Sequence, residues 1–211
     1  MERERALEIL RDSALDRSET FYAADANLPL GVGLVIDGVE FPIFDPGADR
    51  FAVVRGLTYV LSHECDLDPA NARVLNDMAL VCPILAIEEF LVDCEKRGIP
   101  DHEVGAILGN LAKRNVSRAV YFPPLEGKLA LGGLMYLNKM ASSPVARLQQ
   151  GTRVCTLTAI GVQTVDMALD NHLRRPKAEA LPLENATIRN PSSRVGSLPA
   201  WQEKPTSEKL E

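Results

Sequence analysis

"LPLGVGLVIDGVEFPIFDPGADRFAVVRGLTYVLSHECDL", Leu28 to Leu67, decides the fold. Val, Ile, Phe and Leu dominate it, and two turn signals interrupt it: Asp37-Gly38 and Asp45-Pro46-Gly47. Apolar runs separated by turn residues read as β-strands joined by hairpins. The Asp37-Gly38 step lies between Leu34-Val35-Ile36 and Val39-Glu40-Phe41 and reads as a two-residue hairpin. Strands are expected near 33–36, 39–44, 51–54 and 57–64. A further strand is expected in "DMALVCPILAI", Asp77 to Ile87, after a loop marked by Pro69 and Asn71.

Outward from that stretch the period changes. "RERALEILRDSALD", residues 3–16, has apolar Leu7, Leu10 and Ala14 on one side and reads as an amphipathic helix. Ile87, Phe90, Leu91 and Cys94 recur at helical spacing before Gly98 and Pro100. Val104, Ile107, Leu108 and Leu111 repeat that pattern, with Asp101 placed as an N-cap. Strands return in "VSRAVYFPPL", "LALGGLMYLNKM" and "TRVCTL". A helix follows from about Ala159 to Arg174, with Thr158 as its N-cap. The fold class is mainly β with helices, α+β, and short consecutive strands favour an antiparallel barrel or rolled sheet over βαβ units. The expected organisation is an N-terminal amphipathic helix in residues 1–18, a β-barrel-like domain in 28–175 with a helical insertion at 86–114, and a flexible or partner-ordered tail in 176–211. That tail is rich in Pro, Ser and Glu and holds one aromatic residue, Trp201.

Charge narrows the function classes. From Arg174 onward there are 7 basic and 5 acidic residues, which leaves 16 basic and 24 acidic in the body, a net of −8. Affinity for nucleic acid is largely electrostatic, so nucleic acid is disfavoured except through a local basic groove built from residues such as Lys113, Arg114 and Arg118. Gly-rich "LGGLM" lacks the Lys-Ser/Thr of a phosphate loop, and "GVGLVIDG" leads into a strand rather than a helix, which rejects a dinucleotide fingerprint. The four cysteines form no C-x-x-C pair, the polar start "MERERALEIL" is no export signal, and no apolar run reaches membrane-spanning length. A cytoplasmic protein with free or metal-bound thiols is expected, with no membrane partner.

The candidate site is "VLSHECDLD", Val60 to Asp68. On a continuing strand, His63 and Cys65 would share one face at i, i+2. Cys82 on the neighbouring strand would then supply a third ligand, and His63, Cys65 and Cys82 would suit zinc, with Asp66 or Asp68 completing or supporting the set. The alternative chemistry is a Cys65 nucleophile with Asp66 beside it, opposed by the neighbouring carboxylates, which disfavour a thiolate. The plain structural reading competes with both: cysteines pack in cores, and Asp66 and Asp68 suit the turn before Pro69.

"VLSHECDLD", followed about fifteen residues on by "LVCPIL", then Tyr121-Phe122-Pro123 and "RVCTLTAIGVQTVDMALDNHLRR", resembles a family of uncharacterised bacterial proteins that share a Ser-His/Gln-x-Cys-Asp-Leu/Ile strand. The resemblance covers roughly residues 30–175. More distantly the chain is similar to the PemK-like toxin barrel, a small SH3-like fold that cleaves mRNA. That likeness places Arg55 near the position of the toxin's arginine, one residue out of register, and Leu85 where the toxin has a hydroxyl. It implies an SH3-like barrel and a toxin-like or defence-associated setting, without the toxin's chemistry. The expected function is a binding or regulatory module with Ser62, Arg55 and Arg118 as binding residues and no resident cofactor. A protein partner would dock through the N-terminal helix or the tail. The competing function is a metal- or cysteine-dependent hydrolase or nuclease centred on His63 and Cys65.

Overall fold

One long hairpin frames the molecule. Strands β2 (Leu34–Asp45) and β3 (Arg50–Val60) pair antiparallel over most of their length in a computed structural model that describes residues 2–12, 18–23, 29–45, 49–71 and 77–174. Asp37-Gly38 is not a hairpin turn. Ile36 pairs with Thr58 and Val39 with Gly56, so two residues of β2 oppose one of β3 and the strand continues through a bulge. Gly38 has φ 78°, a region glycine enters without steric cost. The chain reverses instead between Asp45 and Asp49, at the second turn signal. The same Asp-Gly chemistry serves a tight turn or a bulge, and only the ladder partners decide which.

The described residues hold eight strands: β1 (Tyr22–Ala23), β2, β3, β4 (Met78–Ala86), β5 (Ala119–Phe122), β6 (Gly133–Tyr136), β7 (Ala141–Pro144) and β8 (Thr152–Leu157). They form one antiparallel sheet in the order β1-β8-β2-β3-β4-β6-β5, with β7 also paired to β4. The end strands β1 and β5 share no ladder, so the sheet is not a closed barrel. It is curled until the chain around its two ends meets: the rings of Phe21, just before β1, and Phe122 of β5 lie edge to face at 5.1 Å, and Tyr22 Oη donates to the backbone O of Pro123 at 2.7 Å. With two residues, β1 is too short to close the barrel by backbone pairing.

Alternation along the strands feeds three apolar clusters. Tyr59, Cys82, Val120, Phe122, Met135 and Cys155 point into the curl, where Val165 of the last helix joins them. Val60, Val81, Leu34 and Ile36 point to the opposite face, under Leu67 and Leu148. Tyr121 and Leu134 point outward beneath the helices α4 (Ile87–Lys96) and α5 (Asp101–Ala112). Both faces of the central strands are covered, which is why "ALVCPIL" reads as continuous apolar sequence rather than alternation.

The helix α1 (Arg3–Asp12) lays Ala6 and Leu10 into the α4–α5 cluster, and Arg3 Nη1 reaches Glu95 at 3.0 Å. Its apolar stripe is thus covered by the protein's own body. A short helix α2 (Ser18–Phe21) precedes β1. The N-cap of α5 is Pro100 rather than Asp101, which instead occupies the first turn, where a carboxylate suits the positive helix end. A short helix α6 (Val145–Gln150), absent from the pattern reading, follows β7 and buries Leu148. The final helix α7 (Ala159–Arg174) begins as expected, with Gly161 N donating to Thr158 Oγ1 at 3.1 Å. Residues 1–175 are one compact unit, and the expected tail at 176–211 lies outside the described residues, as do 46–48 and 72–76. Among the described residues no helix is long and apolar enough to cross a membrane.

Candidate functional site: an exposed thiol–imidazole turn

Strand β3 stops at Val60, so His63 and Cys65 do not alternate along a strand. Residues Glu64–Leu67 form a single helical turn, α3, with His63 as its N-cap in extended conformation. The strand ends here because Ser62 closes it: Ser62 Oγ accepts from Leu80 N at 2.7 Å, and both Leu61 N and Ser62 N donate to Leu80 O. Asp66 N donates to His63 O at 3.0 Å and opens the turn. Asp68 then accepts from Ala70 N at 2.9 Å and starts the 3-10 turn Pro69–Asn71. Asn71 Nδ2 reaches back to Cys65 O at 2.6 Å. Leu67, buried in the apolar cluster below, anchors α3. Gly31 lets the approaching loop pass close by: a Cβ there would meet Glu64 Cβ at 2.8 Å.

This scaffold brings Cys65 Sγ to 2.8 Å from His63 Nδ1, while Cys65 N lies 3.3 Å from the same nitrogen. A backbone N–H pointing at Nδ1 assigns that atom as acceptor and places the ring hydrogen of the neutral imidazole on Nε2. The thiol hydrogen then points at Nδ1, and its transfer would give a thiolate–imidazolium pair across the same contact. His63, Cys65 and Asp66 are exposed.

The other sequence-predicted residues stand apart. Cys82 faces Tyr59 across the ladder, is fully buried and donates its Sγ hydrogen to Tyr136 O at 3.2 Å. Burial pushes its thiol up to about 12. The structure does not join it to His63 and Cys65, because α3 turns the chain away from the ladder that holds Cys82. Among the described residues no three His, Cys, Asp or Glu side chains converge as a metal set. His63 and Cys65 by themselves offer a metal one nitrogen and one sulfur donor. Arg55 sits seven residues back along extended β3, about 20 Å from Ser62. Its Nε donates to Gly38 O at 3.0 Å, across the bulge. Arg118 lies exposed just before β5, beyond β4 and β6 in the sheet order.

Cys65 is the exposed cysteine; Cys82, Cys94 and Cys155 are buried. Burial pushes Cys155 up to about 12 and raises Cys94 as well. Sequence reading singled out His63 and Cys65 but missed Asn71 and Gly31, which hold the turn. Asn71 carried a signal as a turn residue after Pro69, whereas Gly31 carried none, since its contact lies 33 residues away.

The fold and this turn define a curled antiparallel α+β protein that presents a thiol–imidazole pair to solvent. In comparisons with protein-family models, curated proteins and solved structures, nothing matches the chain.

Proposed function

We propose that this protein is a binding or regulatory module whose functional centre is the His63–Cys65 pair. The observation that carries the reading is the 2.8 Å contact between an exposed thiol and an imidazole on a turn pinned at both ends. Cysteine is among the most buried residue types, and a cysteine held in water beside a proton acceptor is placed to react. The imidazole takes the thiol proton, and the thiolate attacks an incoming disulfide: the new S–S bond forms as the old one breaks, and the departing thiolate takes the proton from the imidazolium. The pair thereby serves as a point of reversible covalent modification or thiol-dependent partner capture.

The test is the rate of Cys65 alkylation by iodoacetamide, followed by peptide mass spectrometry in the native protein and in His63→Ala. Cys65 is expected to label first, and the variant is expected to slow it by about threefold or more near neutral pH. Equal rates in the two proteins would overturn the reading.

The same contact supports a second reading from a different class, a hydrolase or nuclease with Cys65 as nucleophile and His63 as base. Release of a chromophoric leaving group from an activated ester, in a burst equal to the protein present and lost in Cys65→Ser, would select it over the regulatory reading.

A further inference from the structure

The β2–β3 hairpin runs on past both of its neighbours. β8 pairs with β2 only as far as Asp37, and β4 pairs with β3 only at residues 58–60. Beyond those points residues 39–45 and 50–56 make a two-stranded arm, and two strands by themselves are marginal in water. One face of the arm is packed: Phe41, Ile43 and Val54 join the apolar cluster of Val60 and Leu148. The other face carries Phe51 and Val53, each 72% exposed, and Phe44, whose ring meets that of Phe51 edge to face at 5.4 Å.

The two edges of the arm differ. Pro42 stands opposite Val53 and has no N–H to donate, so the two form a non-hydrogen-bonded pair. The N–H and C=O of Val53 therefore point away from β2, and by the two-residue period those of Phe51 and Arg55 do too. Leu61 N, on the same period, donates to Leu80 O of β4, on that same side. Pro42 blunts the β2 edge by removing a donor from it. The β3 edge carries no proline and no bulge, and a Cβ at Gly56 would meet nothing within 4 Å. Among the described residues nothing bonds the outward backbone groups of Phe51 and Val53.

We propose that the β3 edge of the arm pairs antiparallel with the same edge of a second copy of this chain, about a two-fold axis at Ala52. A second copy fits because the edge complements itself. With Ala52 opposite Ala52, Phe51 faces Val53 of the second copy and Asp49 faces Arg55, each twice by symmetry. Only the Nε of Arg55 is engaged, at Gly38 O. The outward groups of Phe51 and Val53 then meet as hydrogen-bonded pairs, and no like charges stand opposite each other. With the axis at Val53 instead, Phe51 faces Arg55 and Asp49 faces Leu57, which loses both matches. Two marginal arms become one four-stranded sheet. The edge shares no residue with the His63–Cys65 turn, so the two stand or fall separately.

The experiment is analytical ultracentrifugation of the full chain from about 5 to 500 µM, with reductant present so that no Cys65 disulfide contributes. A monomer–dimer equilibrium with Kd of about 10–100 µM is expected, as suits a small interface. At the few micromolar of a thermal melt the chain is then largely monomeric. Val53→Lys is expected to weaken the dimer at least about tenfold, because a lysine guards an exposed edge. If melting shows that Val53→Lys does not fold, Phe51→Lys is read in its place. Oxidation of Ala52→Cys in a Cys65→Ser chain reads the register, since Cα atoms about 4.5 Å apart accept a disulfide. A linked dimer is expected there and not with Arg50→Cys, whose two copies stand about 13 Å apart in this register. A chain that stays monomeric to about 500 µM, a dimer unweakened by the lysine, or a dimer that links through Arg50→Cys but not Ala52→Cys would each overturn the proposal.

Discussion

Asp37, inside the bulge of β2, and Lys128, in the connection between β5 and β6, meet with Oδ2 and Nζ 2.6 Å apart across 91 residues of sequence. The Lys128 hydrogen bond is the foremost reason that the Asp37 carboxyl is held below its usual range, and the Gly38 N–H and the nearby Arg55 add to it. The contact pins the bulge to the connection between β5 and β6.

A carboxyl with a lower pKa when folded than when unfolded stabilises the folded state above its unfolded pKa, about 3.9 for Asp. That contribution falls as the pH drops through the depressed folded value. Lys128→Ala is therefore expected to lower stability near neutral pH by less than about 1 kcal/mol, since both side chains are part-exposed and screened. The difference from the native protein should shrink as the pH falls below the usual Asp range. Urea unfolding at several pH values measures it, and a difference that grows on acidification would contradict the pairing.

Gly132 has φ 95°, and a Cβ built there would stand 2.6 Å from Phe122 O and 2.7 Å from Tyr121 Oη. Ile87 N also donates to Gly132 O at 3.0 Å, which ties α4 to this turn. Gly132→Ala is expected to cost about 3 kcal/mol through backbone strain and overpacking together. Denaturant unfolding reads it, and a cost under about 1 kcal/mol would mean that the turn relaxes freely.

Val53 and Val60 lie on the same strand and meet opposite environments. Val53 is 72% exposed on the hairpin arm, beyond the reach of β4 and β8, whereas Val60 is fully buried between Val81 and the apolar cluster beneath it. Val53→Ala is expected to change stability by about 0.5 kcal/mol or less, and Val60→Ala to cost about 2 kcal/mol. Thermal melts of the pair give the comparison, and equal costs would place the arm against something that covers it.

Phe21 closes the curl from the N-terminal side. It is fully buried and stacks edge to face on Phe122 at 5.1 Å and on Tyr22 at 5.2 Å. Phe21→Ala is expected to cost about 3–5 kcal/mol and to free α2 and β1 from the sheet. Hydrogen exchange should then report early loss of protection at Thr158 N, which donates to Phe21 O at 2.9 Å. Unchanged protection there would show that the β1–β8 ladder holds without the ring.

Much of this organisation was legible in residue order. The helical periods of 87–96 and 101–112 and the Thr158 cap of α7 are local, because helices bond to their own neighbours in sequence. The strand "TRVCTL" appears as β8 with matching bounds. The failures share one cause. Asp37-Gly38 favours a tight turn as readily as a bulge, and the choice rests with Thr58 and Gly56 on another strand. The reading of His63 and Cys65 as strand neighbours failed because Ser62 hands the strand end to Leu80, 18 residues on, and α3 starts at once. Cys82 looked like a partner for them by strand adjacency alone, and its burial opposite Tyr59 depends on which way the ladder faces. The open edge of the hairpin arm had no sequence signal, since it exists only because β4 leaves β3 beyond Thr58.

Residue order by itself determined the class of structure: an α+β chain of antiparallel strands with helices between, a negatively charged body, and a histidine two residues from a cysteine at the end of an apolar run. Those are properties of composition, period and short-range bonding, which every segment carries with it. The tertiary structure alone decided that the sheet curls without closing, that Cys65 faces water while Cys82 is sealed away, and that β4 leaves one edge of the hairpin arm open. The reason is physical: closure, exposure and edge pairing depend on packing between surfaces far apart in sequence, and no local pattern encodes which surfaces meet.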